Sequence, residues 1–242
     1  MLSVCAISDL HGYLPEIEPC DIVCIAGDII PLDIQANSRK SKQWFNTIFA
    51  EWINNLPCDK VFLVAGNHDF YLERHAISIK LSKDPTKSKC VYLNNEAITY
   101  IDNEFNSWNI YGSPLTHKFG NWAFMLEDLE LTKEYQNIPD NIDILICHDT
   151  PSYKNLGMLP CSRWNNKPID AGNKPLAKII EERQPKYVFC GHLHLCISKY
   201  DKIGESNIYN VSLLDNNYKL NQLPTYINMN KDKSVNSEVI KE

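Results

Sequence analysis

The chain has 242 residues, enough for one compact domain with a sizeable core. With 44% hydrophobic and 22% charged residues it has ordinary globular composition, which excludes collagen-like, coiled-coil and wholly disordered classes. Its 24 Lys and Arg against 30 Asp and Glu give a formal net charge of -6, which disfavours a protein that wraps a long nucleic-acid backbone.

No apolar run approaches the length of a membrane span, so no membrane partner is expected. The opening MLSVCAISD has no basic residue before its apolar stretch and meets Asp9 early, so it reads as a first strand and the expected location is the cytoplasm. Runs rich in Val and Ile, apolar on both faces, follow at 3–7, 22–26, 60–65, 142–147 and 186–190, as expected of strands buried within a layered sheet. Cys5, Cys24, Cys147 and Cys190 lie in these runs, and the absence of a CxxC pair favours buried thiols over a disulfide framework.

Between the second and third runs, Phe45, Ile48, Phe49, Trp52, Ile53 and Leu56 follow helical spacing from Trp44 to a stop at Pro57. Trp44, Phe45 and Trp52 are therefore expected in the core or an oligomer contact, which leaves a homo-oligomer open. A second helix is expected over 71–81. Strands of a second sheet are expected at 91–93, 97–101, 108–112, 195–200 and 207–213. A third helix has Pro175 in its first turn, Leu176, Ile179 and Ile180 on one face and Pro185 as its stop. These elements predict an α/β layered domain over residues 1–227, with two central sheets, helices outside and a polar tail at 228–242.

Each buried run is followed at once by polar residues of one chemical kind: Asp9-Leu-His11, Gly27-Asp28, Gly66-Asn67-His68-Asp69, His148-Asp149 and Gly191-His192-Leu-His194. Ligands of open α/β sheets bind at strand carboxyl ends, so the fold can gather all five. Imidazole, carboxylate and amide oxygen without thiolate suit manganese, iron, zinc or nickel. Singly, each motif has a bland alternative: Asp9 as a helix cap, Gly27-Asp28 as a turn, His148 as a satisfied core histidine. Five such coincidences at the same kind of strand end favour a metal centre. His75 is expected as a solvated helix residue, and His117 is left open between structure and substrate contact. Arg163 and Lys167 are expected as solvated loop charges before a phosphate clamp, and Trp122 and Phe124 are secondary candidates for stacking.

The ordered set DxH, GD, GNHD, His and GHxH resembles the calcineurin-like metallophosphoesterases. The segments Ile110-Tyr-Gly-Ser-Pro-Leu-Thr, Phe119-Gly-Asn-Trp-Ala-Phe124 and Asp143-Ile-Leu-Ile-Cys-His148 are similar to the metallophosphoesterase-domain-containing, cyclic nucleotide phosphodiesterase-like group. DTPS after His148, where GPP is common, and the 152–170 loop depart from it. The resemblance implies a four-layer α-β-β-α sandwich with two divalent cations, manganese foremost, at strand carboxyl ends. Asp9, His11 and His194 would hold one ion, Asn67, His148 and His192 the other, and Asp28 would bridge them. His68 would act as acid toward the leaving oxygen, oriented by Asp69. The expected reaction is attack of water-derived hydroxide on a small phosphodiester such as a cyclic nucleotide, with no stable nucleic-acid partner. A phosphomonoesterase, a DNA-repair-type nuclease and a non-catalytic scaffold are the alternatives.

Overall fold

A computed structural model describes residues 1–75, 88–160 and 167–231. The first three apolar runs become parallel neighbours β1 (Leu2–Ile7), β2 (Ile22–Ala26) and β3 (Lys60–Val64), extended by β4 (Cys90–Tyr92). β5 (Glu96–Ile101) and β6 (Ser107–Ser113) form an antiparallel hairpin. The two-residue strands β7 (Thr116–His117) and β8 (Met125–Leu126) pair with each other. Next come β9 (Ile144–Cys147), the small pair β10 (Met158–Leu159) and β11 (Ile169–Asp170), and β12 (Tyr187–Cys190). β13 (Tyr200–Ile203), β14 (Ser206–Asn210) and β15 (Thr225–Met229) complete the strands. One main sheet has the order β15-β1-β2-β3-β4 and the other β13-β14-β12-β9-β6-β5.

Alternation along the buried strands sorts their side chains into separate cores. Val4, Ala6, Cys24, Phe62, Val64, Ile144, Ile146 and Phe189 fill the space between the two sheets. The intervening Cys5, Ile7, Val23, Ile25, Val61 and Leu63 meet the residues of the first helical layer, including Phe45, Phe49 and Ile53. Leu145, Cys147, Val188 and Cys190 meet Leu131, Leu176, Ile179 and Ile180 on the far side. The layers are therefore α-β-β-α, as expected. Cys5, Cys24, Cys147 and Cys190 are buried free thiols within them.

The first helical layer contains α1 (Ser38–Trp44), a π-helical turn at Phe45–Phe49 and α2 (Ala50–Asn55) in unbroken succession. It starts six residues before the expected Trp44 because Asn37 caps it, accepting from the Lys40 backbone N–H. Trp44 and Trp52 pack partly buried against the core. α3 (Phe70–His75) matches the start of the helix expected over 71–81, whose remainder lies outside the described residues. The other layer contains α4 (Asp128–Tyr135), closed by a capping box of Glu127 and Glu130, and α5 (Lys174–Arg183), capped by Asn173.

Three expectations change. The strand near 91–93 belongs to the first sheet, because Val91 registers with Phe62 of β3. Residues 195–199 form a loop held by the Lys199 ammonium, which donates to the His194 carbonyl and Asn210 Oδ1. The strand expected over 207–213 ends at Asn210, after which the chain leaves its sheet: Ser8 donates to the Val211 carbonyl and Leu213 to the Ser8 carbonyl. In the first sheet, Asn228 and Met229 pair with Ser3 and Leu2 of β1. No helix of the described residues is long and apolar enough to cross a membrane.

Candidate metal centre

Because the sheets pack face to face, with β1, β2 and β3 parallel to one another in one and β9 parallel to β12 in the other, the carboxyl ends of these strands meet at one edge. The backbone there is forced into unusual shapes. Asp9, His11, Asp28 and His192 all have positive φ, at 56°, 41°, 54° and 67°, which is costly for residues with side chains and clusters at functional sites. Two glycines permit the approach. A Cβ on Gly66 would lie 2.2 Å from Asp28 Oδ1, and one on Gly191 would lie 2.4 Å from Asp9 Oδ2.

The buried Asp28 sits between two sets of donors. Its Oδ1 lies 3.4 Å from His148 Nε2, and its Oδ2 lies 3.6 Å from His11 Nε2 and 3.9 Å from His68 Nε2. Asn67 Oδ1 stands 2.9 Å from His148 Nε2. On the other flank His194 Nε2 is 3.1 Å from Asp9 Oδ1, while Asp9 also accepts from Ser212 Oγ and the His192 backbone N–H. Three sets of donor atoms lie within 4.8 Å of one another: Asp9, His11 and His194; His11, Asp28 and His68; Asp9, Asp28 and His148.

This donor set fits divalent cations on its own chemistry. His148 Nδ1 lies 2.8 Å from the Ala26 carbonyl and His194 Nδ1 lies 2.9 Å from that of Asp215. A carbonyl can only accept, so each ring donates through Nδ1 and turns Nε2 toward the carboxylates, the arrangement of metal-ligating histidines. His11 is buried with both ring nitrogens unpartnered, which is costly unless something binds them.

The electrostatics agree. Burial disfavours charge on Asp9 and Asp28, but the surrounding imidazoles outweigh it and hold both carboxyls well below the usual range. Burial likewise opposes charge on His148, yet Asp28 lifts its pKa to about 10, so without cations a proton does part of their work. His11 and His192 are pushed down by burial to about 4 and are neutral.

Not every expected residue stands where the motif suggested. Asp69 does not orient His68. Its carboxylate accepts the backbone N–H groups of Ile29, Ile30 and Gly66 and so staples the Asp28 loop to the Asn67 loop. Burial and the negative Asp28 push it up to about 7. The partner of His68 is Gln35, whose Oε1 lies 2.6 Å from His68 Nδ1. Gln35 sits in a polar loop, and its contact spans 33 residues, so no local pattern marked it. His192 joins none of the three close donor sets; its ring packs 5.3 Å from that of His148.

His117, left open between structure and substrate contact, is anchored to Asp149. His117 donates its backbone N–H to buried Asp149, its Nδ1 lies 2.8 Å from the same oxygen, and Asn173 Nδ2 donates to that oxygen as well. Burial lowers the His117 pKa, but the Asp149 hydrogen bond and charge prevail and raise it. His75 is held instead to the Tyr71 carbonyl. Phe124 is buried and cannot present a face to a ligand, unlike Trp122. Arg163 lies outside the described residues.

A layered sandwich with a His, Asp and Asn cluster at this edge defines a class, and a model of the calcineurin-like phosphoesterase family matches residues 2–196. The chain belongs to that family. It is 27% identical over 212 residues to metallophosphoesterase domain-containing protein 1 of Homo sapiens, covering 78% of this chain and 59% of that protein. It is also 27% identical over 222 residues to probable rhamnogalacturonate lyase C of Emericella nidulans, covering 88% of this chain and 20% of that protein. The chain thus spans less than two thirds of either relative. Among solved structures, TT1561 of Thermus thermophilus shares the fold with a TM-score of 0.57 at 16% identity, covering 86% of this chain and 88% of that one.

Proposed function

We propose that this chain hydrolyses small phosphodiesters, with cyclic nucleotides as the leading class, at a centre for two divalent cations in which manganese is the foremost candidate. The observation that carries this reading is Asp28, whose two oxygens face His148 on one side and His11 on the other. Two cations in such a centre supply Lewis-acid stabilisation of charge on phosphoryl oxygens and hydroxide near neutral pH. The protein's own part is positional. His68 Nε2 stands at the Asp28 edge; with its Nδ1–H donated to Gln35 Oε1, the doubly protonated ring can deliver the Nε2 proton to a leaving oxygen and is left neutral. Among the described residues the basic side chains beside the Asp9 and Asp28 carboxylates are all imidazoles. That neither carboxylate pairs with a Lys or Arg among the described residues favours a singly charged diester over a dianionic monoester or a polyanion.

The test is hydrolysis of bis-p-nitrophenyl phosphate, p-nitrophenyl phosphate, a cyclic mononucleotide and single-stranded DNA with added manganese. Turnover of both diesters above the monoester and DNA is expected. A monoester preference, or efficient cleavage of DNA at physiological salt without cyclic-nucleotide turnover, overturns the diesterase reading. No turnover of any of them leaves a binding scaffold.

A further inference from the structure

Of the exposed aromatic side chains among the described residues, three surround the metal centre, each against a different histidine. Trp122, 37% exposed, lies 4.5 Å from the ring of His68 at an interplanar angle of 39°. Phe119, 55% exposed, lies 5.3 Å from His192 at 36°. Tyr218, 43% exposed, stands edge-on to His11 at 4.9 Å and to His194 at 5.7 Å.

These rings are fixed by the same bonds that fix the site. The Ala123 N–H beside Trp122 donates to the Asn67 carbonyl, and the segment before Phe119 is tied by His117 to Asp149. The Asp215 carbonyl accepts both the Tyr218 N–H and His194 Nδ1, which joins the Tyr218 turn to the centre, and Tyr218 holds a positive φ of 59° there. Exposed aromatic area loses nothing to water when a flat group covers it, and a pre-set ring pays little entropy on binding.

We infer that Trp122, Phe119 and Tyr218 form a stacking rim that selects phosphodiesters carrying an aromatic group, an aryl ring or a nucleobase, on the ester arm that does not leave. This rests on the diesterase reading and adds its specificity element: the centre engages phosphorus, while the rim engages the spectator group through its π-face. Stacking of this kind tolerates different rings, so the selection is for aromaticity and not for one base.

The experiment compares bis-p-nitrophenyl phosphate with methyl p-nitrophenyl phosphate, which share charge and leaving group and differ only in the spectator arm. In the manganese-loaded protein the diaryl ester should show a kcat/KM higher by at least about fivefold, the lower end for one stacked ring. Trp122→Ala, Phe119→Ala or Tyr218→Ala should reduce that preference, while Trp122→Phe keeps it. Equal kcat/KM for the two esters, or equal losses on both in every Ala variant, overturns the rim and leaves the diesterase reading standing. Release of p-nitrophenolate from neither ester refutes the diesterase reading instead, and the rim is then judged by calorimetry with adenosine 5′-monophosphate and ribose 5-phosphate. Tighter binding of the nucleotide that weakens in Trp122→Ala supports it, and equal affinities overturn it.

Discussion

A histidine that gives up a proton in a reaction must be aimed, and His68 is aimed by a neutral amide. Gln35 Oε1 lies 2.6 Å from its Nδ1, and the Trp122 ring lies against its face. Removing the imidazole should cost about 10²–10⁴-fold with poor leaving groups and much less with p-nitrophenolate. His68→Ala is therefore expected to show a steep dependence on leaving group. Gln35→Ala should show the same pattern in milder form, with Gln35→Glu restoring it. Asp69→Asn should behave differently: it weakens the staple between two loops, so it should lower manganese loading and slow all leaving groups alike. Measuring rate against leaving-group pKa alongside metal content separates the three, and a Gln35→Ala loss that ignores the leaving group removes Gln35 from this role. The sequence disclosed Asp9, His11, Asp28, Asn67, His148 and His194 because each follows a buried strand directly. It did not disclose Gln35 or the true duty of Asp69, since those depend on which loops meet in space.

The β5–β6 hairpin shows how one carboxylate can stabilise an element. Asp102 accepts from the backbone N–H groups of Glu104 and Asn106 at the turn and from Trp108 Nε1, which closes the hairpin over buried Trp108. Desolvation opposes the charge, but the Trp108 and Asn106 hydrogen bonds win and hold the carboxyl down at about 2. A depressed carboxylate contributes stability above its unfolded value near 4 and loses it as pH falls through about 2. Asp102→Asn should therefore cost about 1–3 kcal/mol at neutral pH, and the difference from the native chain should vanish on acidification toward pH 2. Urea titrations followed by tryptophan fluorescence would measure this, and a pH-independent difference would refute it. Among the elements, strands with uninterrupted apolar runs were legible. The polar first turns of α1 were not, because the Ser38–Gln43 stretch carries no apolar period, and residues 195–199 misled because apolar Leu195 and Ile197 belong to a loop.

At the scale of the molecule, the site draws Asp9, Asp28 and Asn67 from one sheet and His148 and His194 from the end of the other, so cations bound there would tie the sheets together. Manganese should raise the thermal midpoint in a concentration-dependent way, and a chelator should reverse the rise. Because His148 and His194 are raised in pKa, each must shed a proton to bind a cation, so the effect should grow as pH rises from about 6 to 8. Asp28→Asn should abolish it in differential scanning calorimetry, and an unchanged shift in that variant would refute the bridging role. The sequence identified the buried strands but not their partition between sheets, since a strand that is apolar on both faces suits either one. The pairing of β15 with β1 has a further consequence, for synthesis. Leu2 leaves the ribosome more than two hundred residues before its ladder partner Met229. Until then the outer edge of β1 is bare, an open template for another nascent chain. Closure of the first sheet is therefore the late, long-range step of folding, and escort by a holding chaperone would matter most in that interval.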